Sequence, residues 1–344
     1  MMWKWVKGVL AFLLAAGIIA GAGFSYLSGA IHRPLNPQGE PVVFVIMPGA
    51  PSASIARELE ERRIIKSALY FRIAARLARG ENRIKTGEYR IGSHMSPAQI
   101  LDKFMRGEVV THRLTIPEGY NNRQIAELLD QSGITPKDEF LTALAGRSCL
   151  LTPEGTESLP GLEGCLFPDT YFFPLATPAE NVIGTLTNRF RELLLSLLAR
   201  KPTTPLRLRE AIILASLIEM EARVPEEYPI ISAVYHNRLR IGMRLECDAT
   251  IQFLLSSPKE FLLYSDLSIP SPYNTYLHDG LPPGPICNPG LRSLEAALFP
   301  SKVDYLYYVV KGDSGAHMFS RTYEGHLQAV EKYRKWLEIK PQGR

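Results

Sequence analysis

Residues 206–224, LRLREAIILASLIEMEARV, predict the helix around which the rest of the chain is organised. Good helix formers dominate this stretch, and the nearest proline, Pro205, stands just before its start. At about 100° per residue, one stripe of the helix is apolar except for a single carboxylate, that of Glu219. The stripe comprises Leu208, Ala211, Ile212, Ala215, Glu219 and Ala222.

Glu219 is therefore the predicted chemical residue of this helix. A carboxyl group against apolar neighbours loses hydration of its charged form, so its pKa rises and it can act as a general acid. Glu221 lies about 160° away, on the side that also carries Glu210, and is predicted to be an ordinary solvated ion. The competing interpretation makes Glu219 a buried carboxylate held by an arginine.

The composition is that of a folded protein without a nucleic-acid signature. The 344-residue chain is long enough for two or more domains, and 22% of its residues are charged. Its net charge of +4 comes from scattered Lys and Arg residues, with no long basic run. The seven His are dispersed and no pair of cysteines has metal-ligand spacing, so neither a metal nor another cofactor is predicted.

An uncharged stretch at residues 8–31 predicts a transmembrane helix. As a helix it would span about 36 Å, enough to cross a bilayer with some tilt. Lys4 and Lys7 precede it, so the positive-inside rule places the short amino terminus in the cytoplasm and everything after the helix outside. A cleaved signal peptide is the alternative, because residues 28–30 (SGA) resemble a cleavage site. The apolar run is longer than a usual signal core, which favours a retained anchor.

Four cysteines would face an oxidising compartment if the chain is exported from a bacterial cell. Cys149 and Cys165 flank a loop that contains Gly and Pro, and they have a spacing that allows them to close it. Cys247 and Cys287 both lie in the carboxy-terminal half. The sequence does not fix the pairing, which stays open.

A small module of strands and helices is predicted after the linker. The β-branched run 42–46 predicts a strand, residues 67–79 predict a helix, and residues 97–104 predict another helix behind the Ser96 cap. The strand, turn and helix of FVIMPGAPSASIAREL recur further along as RLTIPEGYNNRQIAELL, a weak internal repeat. A module of this kind suits binding, and a spacer is the alternative.

The segment at residues 271–290, SPYNTYLHDGLPPGPICNPG, predicts a rigid and irregular wall because it is rich in Pro and Gly. It puts hydroxyls, an amide and aromatic faces at one place, a mixture that suits a carbohydrate. The aromatic loop at residues 159–174 has a similar character, although core packing is the commoner fate of Phe and Tyr. The wall residues concerned are Tyr273, Asn274, Thr275 and Tyr276.

Further polar residues follow the first helix. Asn237 is an amide in an apolar stripe, so it must be hydrogen-bonded, and it is expected either to orient Glu219 or to tie two helices together. Arg238 has the chemistry to pair with anionic groups. Asp248 and Asn288 stand at predicted N-cap positions.

These motifs together resemble the MltG/YceG family, the membrane-anchored endolytic murein transglycosylases of bacteria. The resemblance covers nearly the whole chain, from the anchor to the closing helix. Its most specific segments are the Leu-Ala-Ser-hydrophobic-hydrophobic-Glu helix that ends at Glu219 and the Asn-Arg-Leu segment that begins at Asn237. Further matching segments are FPDTY at 167–171, LECDAT at 245–250, SPYNTY at 271–276, GLPPG at 280–284, NPG at 288–290, and His317.

Together with the patterns above, the resemblance implies an α+β fold in three parts. These are an N-terminal transmembrane helix, a small LysM-like αβ module and a mixed α/β catalytic domain. The implied boundaries are a cytoplasmic amino terminus at 1–7, the transmembrane helix at 8–31, a linker at 32–41, the LysM-like module at 42–112, a connecting region with the second strand-helix unit and the aromatic loop at 113–204, and the catalytic domain at 205–340.

The resemblance also implies that Glu219 is the catalytic glutamate of a lytic transglycosylase. Such an enzyme cleaves the β-1,4 bond between N-acetylmuramic acid and N-acetylglucosamine. The acid protonates the leaving oxygen and then accepts the proton of the muramyl C6 hydroxyl, which attacks C1 to give a 1,6-anhydro sugar. One carboxyl suffices, and the sequence offers no obvious second acid beside Glu219. The residues expected to bind the glycan are Asn237, Arg238, Asp248, Tyr273, Asn274, Thr275, Tyr276, Asn288 and His317.

Two other functions stay open. A hydrolytic muramidase would use Asp248 or Glu246 as a second carboxylate, and a non-catalytic protein would bind peptidoglycan at the membrane and recruit its synthases. The expected partners are glycan strands, the lipid bilayer through the N-terminal helix and peptidoglycan synthases, with no nucleic acid. The expected location is the bacterial cytoplasmic (inner) membrane, with a single pass and the catalytic domain outside, where it would cut nascent strands and limit their elongation.

Overall fold

The computed structural model describes residues 2–47, 49–152 and 154–339. The chain forms two compact units. Unit 1 comprises Met1–His112 and Pro174–Ala176, and unit 2 comprises Arg113–Phe173 and Thr177–Arg344.

Unit 1 begins with helix α1, Met2–His32. Its segment Leu13–His32 is long and apolar enough to cross a membrane by length and composition, and it is almost entirely exposed. The predicted apolar helix is therefore present. The side chains of Lys4 and Lys7, on which the predicted orientation rests, lie outside the described residues.

The rest of unit 1 confirms the predicted order of strands and helices. Two helices connect the antiparallel strands β1 and β2, which pair from Pro41↔Gly92 to Ile46↔Gly87. Ser67 caps α3 by accepting a hydrogen bond from the backbone N–H of Leu69, and a Ser96–Gln99 capping box starts α4. The elements are β1 Pro41–Ile46, α2 Ser52–Glu61, α3 Ala68–Leu77, β2 Gly87–Gly92 and α4 Pro97–Arg106.

Unit 2 contains the helix predicted first, here α8, Leu208–Glu221. Its other helices are α5 Asn122–Gln131, α6 Lys137–Leu144, α7 Ala179–Leu198, α9 Tyr228–Arg240, α10 Asp248–Leu254, α11 Leu291–Leu298 and α12 Tyr323–Ile339. Its strands are β3 His112–Thr115, β4 Ser148–Leu150, β5 Ser158–Pro160, β6 Thr170–Phe173, β7 Tyr307–Val310 and β8 His317–Ser320. The first residue of β3, His112, belongs to unit 1.

Helix α8 lies in the middle of the unit 2 core and packs against α9, α10 and α11. Its apolar side chains from Leu208 to Ile218 are buried, as the predicted stripe requires. The same core takes in Phe140 and Phe190 from the region before residue 205, so both stretches of sequence build one hydrophobic core. Burial of α8 from three sides fixes the positions of the two glutamates near its carboxyl end.

The strands of unit 2 form small pairs: β3 with β6, β4 with β5, and β7 with β8. A disulfide joins Cys149 on β4 to Cys165, which closes the loop that contains β5. Cys247 and Cys287 are buried free thiols. The hairpin of β7 and β8 pairs Val310 with His317, which sets this histidine beside the end of α8.

Candidate active site

Glu219 lies near the carboxyl end of α8 and contacts the amino end of α11. Its Oε2 accepts hydrogen bonds from the backbone N–H of Gly290 at 2.8 Å and from the hydroxyl of Ser293 at 2.7 Å. Burial raises the pKa of Glu219, the charge of Glu118 raises it further, and the two hydrogen bonds and Arg292 oppose the rise. Among the described residues no ion pair holds Glu219, so the alternative of a carboxylate locked to an arginine is not what the structure contains.

Glu118 is a second acid beside Glu219, and the prediction that none lies there was wrong. Its side chain packs directly on the α-carbon of Gly290, since a Cβ at that position would lie 2.0 Å from Glu118 Oε1. The sequence did not indicate this contact because Glu118 is about one hundred positions away, in the turn before α5. A side chain at position 290 would collide with this carboxyl group unless the Glu118 side chain moved.

Glu221 is enclosed, and the prediction of an ordinary solvated ion was wrong. The thiol of Cys247 donates a hydrogen bond to its Oε1 at 3.2 Å, and the hydroxyl of Tyr308 is a second donor. Burial is the main cause that raises the pKa of Glu221, and the nearby charge of Asp248 adds to it. The hydrogen bonds from Cys247 and Tyr308 and the charge of His317 oppose the rise.

The difference between Glu221 and Glu210 has a structural cause. Both lie on the same side of α8, but Glu210 is in the first turn, where Arg207 pairs with it at 2.8 Å and lowers its pKa. Glu221 is in the last turn, which the β7–β8 hairpin and the start of α10 cover. Helical periodicity reports the face of a helix and not which end of that face is covered by distant parts of the chain.

Two adjoining cavities meet at Glu221. One has a volume of about 310 Å³ and the other of about 820 Å³, and neither is lined by Glu219. They share Glu221, Asp248, Val310 and His317. The smaller cavity is otherwise lined by Arg238, Leu245, Glu246, Tyr276, Tyr308, Val309 and His326, and the larger one by residues that include Arg223, Gln252, Glu260, Phe261, Asp313, Tyr333 and Trp336.

Four of the predicted glycan-binding residues come together at the smaller cavity: Arg238, Asp248, Tyr276 and His317. The guanidinium of Arg238 donates to the carbonyls of Leu306 and Leu245, each at 2.7 Å, and its side chain is largely buried. These bonds orient the arginine without neutralising its charge. They leave a fixed cation in the cavity wall.

Asp248 and His317 are each held by a neighbouring group. Asp248 begins α10, but its carboxylate accepts a hydrogen bond from the Tyr276 hydroxyl and makes no side-chain cap, contrary to the capping prediction. His317 Nδ1 lies 2.7 Å from Oε2 of Glu227, whose other oxygen accepts the His317 backbone N–H at 2.9 Å. Both side chains are therefore fixed at the edge of Glu221.

Other predicted glycan-binding residues are buried, and their polar atoms are used within the fold. The amide of Asn237 donates to the carbonyls of Val303 and Tyr305 at 2.9 and 3.0 Å, so it ties two segments together and does not orient Glu219. Asn274 and Asn288 have no exposed surface, and Thr275 bonds the backbone N–H of Cys247 at 3.0 Å. Sugar binding by these four residues stays a prediction, and the hydrogen bonds that the structure gives them are to other parts of the fold.

Asn288 illustrates how the polar atoms of such a residue are used within the fold. Its Oδ1 accepts the backbone N–H of Leu166 at 2.8 Å, and its Nδ2 donates to the carbonyl of Tyr120 at 3.0 Å. It does not cap α11, whose N-cap residue is Gly290. Tyr273, the remaining predicted residue, packs against Phe253 with ring centroids 5.1 Å apart.

Sequence reasoning did not identify the residues that surround the carboxyl groups of Glu219 and Glu221. Cys247 and Tyr308 contact Glu221, while Glu118 lies beside Glu219. Glu163 is a further buried carboxyl, which accepts the backbone N–H of Asn122 at 3.1 Å and has its pKa raised by burial to about 8. Cys247 was considered only for disulfide pairing, and no periodic pattern in the sequence indicates these long-range contacts.

Comparisons with known proteins agree with this architecture. The YceG-like family matches residues 44–332. An endolytic murein transglycosylase of Bacillus subtilis (strain 168) is 30% identical, over 92% of this chain and 91% of the relative. An endolytic murein transglycosylase of Streptococcus pneumoniae (strain D39) is 28% identical, over 94% of this chain and 65% of the relative.

A solved structure supports the same conclusion. The 2.6 Å crystal structure of a yceG-like protein from Listeria monocytogenes superposes with a TM-score of 0.53 at 31% identity. The superposition covers 85% of this chain and 99% of that structure. Because the family match and a relative of this identity both extend over most of the sequence, the chain belongs to the YceG-like family.

Proposed function

We propose that this protein is an endolytic peptidoglycan lytic transglycosylase, which cleaves the β-1,4 bond between N-acetylmuramic acid and N-acetylglucosamine and leaves 1,6-anhydro ends. The observation that carries the proposal is a carboxyl group of raised pKa, Glu221, at the junction of two adjoining cavities. The relatives from B. subtilis and S. pneumoniae are endolytic murein transglycosylases, which supports the same activity for this chain.

The reaction needs one group that first gives and then takes a proton. A protonated carboxyl donates to the glycosidic oxygen as the oxocarbenium-like state develops. The resulting carboxylate accepts the proton of the muramyl C6 hydroxyl, whose oxygen forms the new bond to C1. No water enters, and the proton balance of the carboxyl is restored at the end of each cycle.

The resemblance implies that Glu219 is this acid, and the geometry favours its neighbour Glu221. Glu219 lines neither of these two cavities. Glu221 lines both cavities and is flanked by Asp248 and His317. We therefore propose Glu221 as the acid and base, with Glu219, whose pKa burial also raises, as the alternative that the resemblance implies.

Two cavities that meet at the acid suit cleavage in the interior of a glycan strand, because an endolytic enzyme must hold sugars on both sides of the bond that it cuts. The smaller cavity offers Arg238 and Tyr276 for polar contacts. The larger one offers Phe261 and Trp336, whose faces can stack on sugar rings. We propose that one glycan strand passes through both cavities.

A hydrolytic muramidase is the second candidate, because Asp248 lies close enough to Glu221 to raise its pKa by its charge, and Glu246 lines the smaller cavity. A second carboxylate of this kind would activate water or attack the sugar itself. The hydrogen bond from the Tyr276 hydroxyl occupies an oxygen of Asp248, which favours a positioning role for this carboxylate.

Digestion of purified peptidoglycan followed by mass spectrometry of the released muropeptides tests the proposal. Wild-type protein should release anhydromuramic ends, Glu221→Gln should release none, and Glu219→Gln should retain the product at a reduced rate. Loss of product only in Glu219→Gln would return the catalytic role to Glu219. Reducing muramic ends would identify a hydrolase, and no release by wild type would indicate a non-catalytic peptidoglycan-binding protein.

For the cell we propose a retained α1 anchor in the cytoplasmic membrane with both units outside it. The exposed apolar segment Leu13–His32 supports an anchor. In this arrangement the β-α-α-β part of unit 1 acts as a LysM-like glycan-binding module, and cleavage occurs on nascent strands near their synthases. Membrane fractionation of the full-length protein distinguishes an anchor from a cleaved signal peptide, which would leave the enzyme in the soluble fraction.

A further inference from the structure

The outer face of α3 is unusual because it is half basic and half apolar. Phe71, Ala74 and Ala75 face the unit 1 core and are buried. On the opposite face Leu69 is 56% exposed, and Leu77, at the border of that face beside α1, is 71% exposed. Arg72 and Arg76 lie one helical turn apart beside Leu69, and Arg79 follows two residues after the end of α3; all three side chains are exposed.

The positive charge of the chain is concentrated in this part of the sequence. Residues 33–112 contain 13 Lys and Arg against 8 Asp and Glu, a net charge of +5. Residues 113–344 contain 24 Lys and Arg against 27 Asp and Glu, a net charge of −3. Next to α3, Nε of Arg76 lies 3.8 Å from Oε1 of Glu81. Both side chains are exposed, so this ion pair is weak.

Helices α3 and α4 pack against the last turns of α1. The hydroxyl groups of Tyr26 and Tyr70 lie 3.5 Å apart, and Ile31 of α1 is buried in the core of unit 1. An apolar cavity of about 320 Å³ lies between these helices. Its lining includes Phe24, Leu27 and Ile31 of α1, Ala74 and Leu77 of α3, and Leu101 of α4.

These contacts set the depth of α3 relative to a bilayer. The segment that can span the membrane ends at His32, and the cavity residues of α1 begin at Phe24, about 12 Å earlier along a helix. A helix packed beside that stretch lies at the level of the headgroups and the upper acyl chains. Tyrosine side chains such as Tyr26 and Tyr70 are common at that level.

We propose that the outer face of α3 docks on the outer leaflet and binds anionic phospholipid. Arg72, Arg76 and Arg79 bind the headgroup phosphates, while Leu69 and Leu77 enter the acyl boundary. A lipid chain occupies the apolar cavity between α1 and α3. The proposal rests on retention of α1 as an anchor, and its consequence is that unit 1 is fixed flat on the bilayer instead of moving freely on its linker.

The test uses full-length protein in nanodiscs, with a fluorophore on Leu77→Cys or, as the matched control, on Val45→Cys. Val45 is exposed on β1 at the end remote from the linker. In discs with phosphatidylglycerol and chain-brominated lipid, the label at position 77 should be quenched at least about twofold more than that at 45, because brominated chains reach only groups at the acyl boundary. Equal quenching at the two positions overturns the proposal.

A charge comparison separates docking from general attraction. Arg72→Gln, Arg76→Gln and Arg79→Gln together should abolish the excess quenching, as should discs of phosphatidylcholine alone or high salt. Arg57→Gln, Arg63→Gln and Arg90→Gln remove the same charge elsewhere in unit 1 and should leave it intact. An equal loss in both triple variants would contradict a specific α3 surface. Failure of the protein to enter nanodiscs at all would instead contradict the anchor.

Discussion

The thiol of Cys247 donates a hydrogen bond to Oε1 of Glu221 at 3.2 Å. This bond joins the segment before α10 to the last turn of α8, and it acts directly on the protonation of the proposed acid. A hydrogen bond to the carboxylate favours its ionised form, so the Cys247 thiol keeps the pKa of Glu221 from rising as far as burial alone would raise it.

Replacement of this donor should change the pH dependence of cleavage. In Cys247→Ala the carboxylate loses a hydrogen bond, so the pKa of Glu221 rises and the acid keeps its proton to higher pH. The alkaline limb of the rate of anhydro-product release should therefore move to higher pH. Cys247→Ser, which keeps a donor, should behave like wild type, and an unchanged limb in Cys247→Ala would exclude Glu221 as the group that sets it.

Glu163 should make folding stability pH-dependent. Burial raises its pKa to about 8 in the folded state, against 4.5 for an exposed glutamate. Between these pH values the folded protein holds a proton that the unfolded chain has lost, so stability falls as pH rises, by an amount on the order of 5 kcal/mol across the window.

Glu163→Gln removes this titration. The variant should match wild type in melting temperature near pH 5 and exceed it near pH 8.5. At the higher pH only the wild-type protein has to ionise the buried Glu163 carboxyl or keep it protonated, and both reduce its stability. Differential scanning calorimetry at the two pH values provides the measurement, with the exposed Glu154→Gln as control. An identical change in melting temperature at both pH values would rule out the raised pKa of Glu163 as the cause of the stability difference.

Replacement of Asn288 should reduce folding stability in the first place, and catalysis only as a consequence. Its side chain is fully buried and bonds the backbone of Leu166 and Tyr120. Asn288→Ala leaves the Leu166 N–H without this acceptor and removes one of the two hydrogen bonds to the Tyr120 carbonyl, which should cost about 2–4 kcal/mol, a drop of several degrees in melting temperature. Asn188→Ala, at an exposed position on α7, should change it little. Undiminished stability of Asn288→Ala would contradict a structural role and favour a direct role in sugar binding.

Trp336 should contribute to glycan binding in the larger cavity. Its ring stacks on that of Tyr333 with centroids 5.7 Å apart and lies 3.5 Å from where a Cβ on Gly312 would be. Loss of one stacking face costs about 1 kcal/mol, so Trp336→Ala should raise KM about fivefold and leave kcat nearly unchanged. Trp336→Phe should restore most of the affinity. If only kcat fell, the residue would act on α12 packing and not on substrate.

Much of the fold could be predicted because local patterns specify it. The strand β1, the helix α3, the capped start of α4 and the apolar stripe of α8 all occur as predicted. Residues brought to the smaller cavity, such as Asp248, Tyr276 and His317, were also recognised from their motifs. These features depend on neighbours within about one or two helical turns, or on segments with a distinctive composition.

The sequence by itself determined the apolar N-terminal segment, the order of the elements and the presence of two glutamates at the end of α8. Only the tertiary structure decided which glutamate faces the cavities, and that Glu118 lies beside Glu219. The physical reason is that burial and nearby charge set the chemistry of a carboxyl group. Around Glu221 both come from Cys247, Tyr308 and His317, which lie far away in the chain and adjoin it only after α8 is packed.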